Sequence, residues 1–380
     1  MDALTTPSNW QRVRLGDICN YLTSNLSAEQ ITQQGKIKVY DVNNFIGYTD
    51  TTFISDKPYI SIVKDGSVGR VRILPPKTNI LSTMGALIAN HKTTTEFLFY
   101  LLSNFDFKNF TSGSIIPHIY FKDYKEKTIF LPPLNEQIAI ANILSALDHY
   151  LYTLDALILK KESVKKALSF ELLSQRKRLK GFNQAWQRVR LGDIAEIKRG
   201  ASPRPIENPK WFCANSNVGW VRISDISKNS RFLYKTAQKL SKKGIEKSRF
   251  IKQNSLIMSM CATIGKPIIT KIDTCIHDGF VVFENPKIDL NYLYYFLCYI
   301  EKEWLESGQQ GSQVNLNVDL IKNKEVFYPK DLNEQIAIAN ILSALDHEII
   351  SLKNKKRQFE NIKKALNHDL MSAKIRVLKK

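Results

Sequence analysis

The sequence predicts an α+β fold: two α/β bodies separated by two long antiparallel helices in a coiled coil, with a pseudo-two-fold internal repeat. Three observations predict it. Residues 134–149 read LNEQIAIANILSALDH, and residues 332–347 repeat all sixteen letters. Residues 10–18 (WQRVRLGDI) recur as residues 186–194. Downstream of each longer repeat, apolar residues continue at alternating spacings of three and four. Identity this long marks an internal duplication, while the stretches between the repeats are unlike. A shared frame therefore presents two different modules.

The elements follow in order. The opening repeat starts each half. The bodies hold short β-type runs between turn residues, at 36–42, 59–63, 71–74, 220–224, 256–260 and 279–283. Each body ends with one helical stretch, 96–103 and 293–303, whose Phe, Leu and Tyr side chains belong to a core. The two repeats are offset by 176 and 198 positions, so the second half carries 22 extra residues. Gly113-Ser114 and Gly311-Ser312 already stand at the larger offset, which puts the extra residues upstream, in the body, and suggests that one element of the first body is missing or trimmed.

The long repeats read as helices. Pro132-Pro133 precede the first, Asn135 can serve as N-cap, and Glu136 adds negative charge to the first turn. In the second helix Leu345, Leu352, Phe359 and Leu366 recur every seven residues, with Ile349, Ile362 and Leu370 between them. The first offers Leu147, Leu154 and Leu168, with Leu151, Val164 and Leu172, and Lys161 interrupts the stripe where Phe359 stands in the other copy. About 30 residues of helix would span roughly 45 Å, comparable with the DNA repeat of about 34–36 Å. The expected division is 1–133 and 181–331 for the bodies, 134–180 and 332–380 for the helical regions.

Composition bounds the partners. The 380 residues carry 55 basic and 36 acidic side chains, a net charge of +19, which favours a polyanion such as nucleic acid over a neutral or acidic partner. The five cysteines (Cys19, Cys213, Cys261, Cys275, Cys298) form no metal-ligand spacing and suit a reducing cytoplasm. Cys19 aligns with Ala195, which fits a small buried side chain. No signal peptide or membrane-spanning apolar run is present, so a soluble cytoplasmic chain is expected.

The order Leu-Pro-Pro-Leu-Asn-Glu-Gln at 131–137, then Ile-Leu-x-x-Leu-Asp at 143–148, after Gly-Ser-x-Ile-Pro at 113–117, with the openings at 10–18 and 186–194, resembles the specificity subunit of type I restriction-modification systems. The resemblance spans essentially the whole chain. It implies two target-recognition domains held apart by two antiparallel helices, each reading one half of a split double-stranded DNA target. It also implies two modification subunits that methylate adenine N6, and restriction/translocase subunits that can join them. S-adenosylmethionine, ATP and Mg then belong to those partners, and this chain carries no cofactor or metal. The second half departs from the pattern at Tyr328-Pro329-Lys330-Asp331-Leu332, and at Gln313-Val314-Asn315-Leu316 where the first half has Ile115-Ile116-Pro117-His118.

Chemistry of its own is not evident. No Asn/Asp-Pro-Pro-Tyr tetrapeptide for amino methylation occurs, no phosphate loop, and no Pro-Asp opening a nuclease motif. The isolated Glu196-Ile197-Lys198 reads as ordinary strand. His149 and His347, one per repeated helix, fit a frame or docking role better than catalysis. For DNA reading, cations must meet phosphates and forked or amide side chains must reach base edges. In the second body Lys198, Arg199, Ser202 and Arg204 cluster in a Gly/Pro-marked loop; a solvated basic loop is the plainer alternative. Arg222 and Ser224 end an expected strand. Gln309, Gln310, Ser312, Gln313 and Asn315 form the best base-reading run, with a merely polar turn as its alternative. The matching loop of the first body offers Ser112, Ser114 and His118. Asn43, Asn44, Lys64, Ser67 and Arg70 flank nearby turns. The basic runs at 160–166 and 176–180, and the C-terminal lysines and arginine, read as exposed helix faces and linkers. Two rival readings remain: a frame-only scaffold or decoy, and a single-chain DNA methyltransferase or nuclease.

Overall fold

The computed structural model describes residues 9–227, 231–307 and 316–378. Contacts divide it into two compact units, Met1–Ala156 with Lys353–Lys380, and Leu157–Leu352. Each long helix, Leu134–Leu173 and Leu332–Met371, contributes part of its length to each unit. At 40 residues apiece they exceed the expected length.

The two bodies share one plan. In the first unit Gln11–Arg14 pairs antiparallel with Thr128–Leu131, closing the body beside the long helix. A four-stranded sheet follows in the order Cys19–Thr23, Met84–Ala89, Tyr59–Val63, Val71–Leu74. A three-stranded sheet takes Phe45–Thr49, Ile37–Tyr40 and Asn79–Ile80. The second unit repeats the ladder with Trp186–Arg190 and Glu325–Pro329. Its main sheet runs Glu196–Arg199, Phe280–Glu284, Leu256–Ser259, Pro267–Thr270, Phe232–Leu233, and its smaller sheet gains Arg249–Ile251 as an edge strand. Corresponding strands begin at Cys19 and Tyr59 in one unit and at Glu196 and Leu256 in the other, so most of the 22 extra residues lie between them. They build Phe232–Leu233, the helix Lys242–Glu246 and Arg249–Ile251, which have no counterpart in the first unit among the described residues.

The opening repeat anchors each body to its repeated helix. Trp10 and Trp186 are buried, and the indole Nε1 of each donates to a carboxylate of the repeated helix, Glu136 at 3.2 Å and Glu334 at 3.3 Å. Leu15 and Leu191 are fully buried. Asp17 and Asp193 accept from the backbone N–H of Arg14 and Arg190, fixing the turn after the strand. Gly16 and Gly192 meet Lys125 and Lys322 so closely that an added Cβ would lie 3.2 Å from either lysine Cβ.

Three local expectations need correction. Strand 220–224 ends early: only Gly219–Val221 is extended, and Ile223–Ser227 is a helical turn with Asp225 buried at its start. Asp225 accepts from the N–H groups of Arg222 and Ala237, which pulls the chain out of the sheet. The helical stretch at 293–303 is two helices, Leu290–Tyr299 and Glu301–Ser307. Asn135 lies inside the first turn rather than at its cap, accepting from Glu136 N, whereas Asp331 accepts from Asn333 N at the start of the second helix.

Along the long helices the seam holds at Leu154, Leu172, Ile349 and Leu370, all buried, while Val164 and Ile362 face solvent. Partners run in opposite senses within each unit. Asp148 pairs with Lys363 and Asp155 with Lys356 in the first; Lys161 pairs with Glu348 and Lys165 with Asp346 in the second. The helix segments are therefore antiparallel in each. Lys161 breaks the apolar stripe because its partner is Glu348 at 2.8 Å; the matching place in the other unit holds the ring pair Tyr150–Phe359, with centroids 4.7 Å apart.

Candidate nucleic-acid interface

The repeated helix starts are gripped by matching glutamate–arginine joints in both units. Glu136 and Glu334 are buried, and each accepts from an arginine 198 positions from its counterpart: Arg376 at 2.8 and 3.1 Å, Arg178 at 3.0 and 2.8 Å. Gln137 and Gln335 donate back to Pro132 and Pro329 carbonyls, and their amide oxygens accept from Thr93 and from Asp289 N. Further along, Tyr100 donates to Asp148 and Tyr295 to Asp346, both at 2.7 Å. Burial and then these carboxylates push both phenols above their ordinary range. The letters that repeat are thus the letters that join body to frame.

Several exposed positions of the repeat also match. Leu134, Ile138, Asn142, Ala146 and His149 face solvent in one copy, and Leu332, Ile336, Asn340, Ala344 and His347 in the other. This places both histidines on the open face of the frame.

In the first unit the candidate residues converge on three adjoining loops. The hairpin between Tyr59–Val63 and Val71–Leu74 carries Lys64, Ser67 and Arg70. Positive φ angles of 83° and 81° at Gly66 and Gly69 shape its turn. It holds the Gly-Ser loop through Gly66 N to Pro117 O at 2.8 Å, Ile119 N to Lys64 O at 2.9 Å, and His118 Nδ1 to Asp65 Oδ1 at 2.7 Å. On the other flank Arg70 donates to Asn43 Oδ1 at 3.1 Å, and Arg72 donates to the Asn43 and Asp41 carbonyls while lying over the Tyr40 ring. Asn43, Asn44, Ser67, Arg70, Ser112 and Ser114 are exposed; Lys64 and His118 are half-buried.

In the second unit the basic loop is organised around a carboxylate. Asp278 accepts from Ser202 Oγ at 2.7 Å and Arg204 Nη2 at 2.8 Å, and its carbonyl accepts from Arg199 Nε at 2.7 Å. Burial works to raise its pKa, but the Ser202 hydrogen bond and the Arg204 and His277 charges outweigh that and hold it low. Arg249 donates to Arg199 O at 2.6 Å, so the added edge strand braces the loop. Among the described residues the Arg222 guanidinium donates to a neutral partner, Gln238, at 3.0 Å, and Ser224 is exposed on the helical turn. Lys198 stands apart from these groups. Its ammonium bridges Glu284 at 2.6 Å and Glu196 at 2.9 Å, and those hydrogen bonds raise its pKa. A cation already neutralised twice has little left for a phosphate. Gln309, Gln310, Ser312, Gln313 and Asn315 lie outside the described residues.

The sequence expectations leave out Asp65 and Asp278, which are carboxylates rather than cations or amides, and Arg72 and Arg249, which stand in strands rather than in the turns and loops singled out. The signal for Asp278 was its place in His277-Asp278-Gly279, just before a strand. Among the described residues no helix is long and apolar enough to cross a membrane.

Known proteins resemble this chain over its whole length. The type I restriction modification DNA specificity domain matches twice, at residues 7–161 and 183–361. The type I restriction enzyme MjaVIII specificity subunit of Methanocaldococcus jannaschii is 28% identical over 99% of this chain and 95% of its own. A putative MjaX specificity subunit from the same organism is 26% identical over 98% of this chain and 95% of its own. Among solved structures, a type I restriction-modification S subunit from M. genitalium superposes with a TM-score of 0.66 at 20% identity, covering 97% of this chain and 98% of that one. A chain from a structure of type I restriction-modification complex assembly and conformational transition gives 0.58 at 16%, covering 97% and 99%. The duplicated frame and the doubled match coincide, and the chain belongs to the type I restriction-modification DNA specificity family, as the non-catalytic subunit that gives such an enzyme its DNA specificity.

Proposed function

We propose that each body reads one half of a bipartite double-stranded DNA target, while the frame docks two modification subunits that methylate adenine N6. The supporting observation is a division of labour in the sequence. The buried glutamate–arginine joints and several exposed positions of the helix face are the same in both halves, whereas the exposed loops differ. Identical surfaces suit a partner used twice, and unlike loops suit two different half-sites. The working division is 1–133 and 181–331 for reading, 134–180 and 332–380 for spacing and docking.

DNA contacts are assigned to Asn43, Asn44, Lys64, Ser67, Arg70, Ser112, Ser114 and His118 in the first body. In the second they fall to Arg199, Ser202, Arg204, Arg222 and Ser224, with Lys198 in a supporting place and Gln309, Gln310, Ser312, Gln313 and Asn315 completing the set. Amide and guanidinium forks discriminate bases by about 1–3 kcal/mol each. S-adenosylmethionine belongs to the modification subunits, and ATP and Mg to restriction subunits where these join. The complex works in the cytoplasm, where its DNA is.

The test is a genome-wide adenine-methylation map of the native strain with and without this gene. Loss of methylation at one split motif is the expected result and supplies both half-sites. An unchanged map rejects the reading.

A further inference from the structure

The Gly-Ser loop of the first body carries an apolar tip that the frame does not explain. Thr111–Ser112 and His118–Ile119 form a two-stranded hairpin whose connection contains Ile115, 93% exposed, and Ile116, 55% exposed. The turn is built to present them. Gly113 has a φ of 91°, and an added Cβ there would lie 2.2 Å from Ile116 O, so only glycine fits. Three bonds fasten the hairpin to the neighbouring loop, from Gly66 N, Ile119 N and His118 Nδ1. That loop carries Lys64 and Arg70, and Arg72 lies beside Asn43 on the same side. Two adjacent exposed isoleucines at a braced tip beside cations are out of place on a surface that only meets water.

From this placement we infer that Ile115 and Ile116 form a wedge that enters duplex DNA at a base step of the first half-site and partly unstacks it. This deepens the reading above and rests on it. Aliphatic side chains standing among cations act this way in proteins that kink DNA, the cations holding the backbone on either side of the opened step. The corresponding tip of the second half reads Gln313-Val314. A tip that served the twice-used modification subunit would be expected to match in both halves, as the helix faces do. This one varies with the bodies, as a DNA-facing element should. The insertion is accordingly confined to one half-site, and local distortion of the target is lopsided.

The experiment uses the full complex with its modification subunits and a duplex bearing the mapped motif, with 2-aminopurine placed step by step through the first half-site. Apart from the adenines that the modification subunits extrude for methylation, wild-type protein raises the fluorescence severalfold at one step of the first half-site and leaves the other steps of the second half-site quiet. Ile115→Ser with Ile116→Ser abolishes the rise and weakens binding about tenfold, the scale expected from one aliphatic side chain returned to water. Its retention of the modification subunits in co-purification shows that the frame is intact. Tight binding by wild type with no fluorescence change in the first half-site beyond that at the methylated adenine overturns the insertion alone. Loss of the modification subunits from the double variant also overturns it, making the tip a protein contact. Absence of any DNA binding by wild type overturns the underlying reading as well.

Discussion

Glu136 shows why a repeated letter is held. Its carboxylate is nearly inaccessible, yet it satisfies the Trp10 indole and the Arg376 guanidinium together. Glu136→Ala leaves the Trp10 indole without its acceptor and the Arg376 guanidinium with Asn9 but no carboxylate, and should cost about 3–5 kcal/mol in chemical denaturation. Glu136→Gln, whose amide oxygen still accepts, should cost clearly less. A second residue sets a pH response. His277 packs against Trp220 and Phe280, and its Nδ1 accepts from Gly279 N at 2.8 Å. Burial, helped by the Arg222 charge and opposed by Asp278, holds its pKa below the ordinary 6.5. The folded protein therefore prefers the neutral ring. That contribution is complete above the unfolded value and is lost as pH falls through the lower folded one. Thermal unfolding followed from about pH 7 to about pH 5 should show a decline that His277→Asn flattens; an identical decline in both proteins would remove His277 from the account.

Between the helices, one place in the repeat is solved in two chemistries. Tyr150 and Phe359 meet as tilted rings in the first unit where Glu348 and Lys161 pair in the second. The ion pair is partly exposed and worth about 0.2–1 kcal/mol; the ring pair adds about 0.5–1.5 kcal/mol beyond burial. Lys161→Phe alone strands Glu348, and Glu348→Tyr alone strands Lys161. The double variant should recover a favourable coupling of about 0.5–1.5 kcal/mol in a double-mutant cycle. Strict additivity would mean that these side chains do not meet in solution. The same comparison explains where pattern reading failed. Val164 and Ile362 fit a heptad on paper but face water, because an unsupercoiled helix drifts from a seven-residue period.

Across the whole molecule, charge becomes a measurable slope. A net charge of +19 predicts DNA binding that weakens steeply with salt, but the structure ranks the contributors. Lys198 is satisfied by Glu196 and Glu284, whereas among the described residues Arg222 donates to the neutral Gln238. In titrations of the complex against salt, Arg222→Ala should lower the slope of log K by about 0.9, and Lys198→Ala should leave it nearly unchanged. The reverse ranking would relocate the DNA surface of the second body. The rival reading of a self-sufficient enzyme has its own check. The purified chain with S-adenosylmethionine and target DNA should transfer no methyl group until modification subunits are added.

Sequence alone determined the duplication, the two long helices, the α+β bodies and the family. These properties are written in local order: identical letters, apolar spacing, and turn residues between β-type runs such as 59–63 and 71–74, both found as strands. It also placed Cys19 correctly as a small buried side chain. Only the tertiary structure decided which cations are free. Lys198 and Arg199 are neighbours in sequence, but strand alternation sends one toward Glu284 and the other toward Asp278, 86 and 79 positions away. It likewise brought the loops at 41–44, 64–70 and 111–119 together, and closed Arg376 onto Glu136 across 240 positions. Contacts between residues so distant depend on how the sheets and helices pack, and no local pattern of letters encodes that.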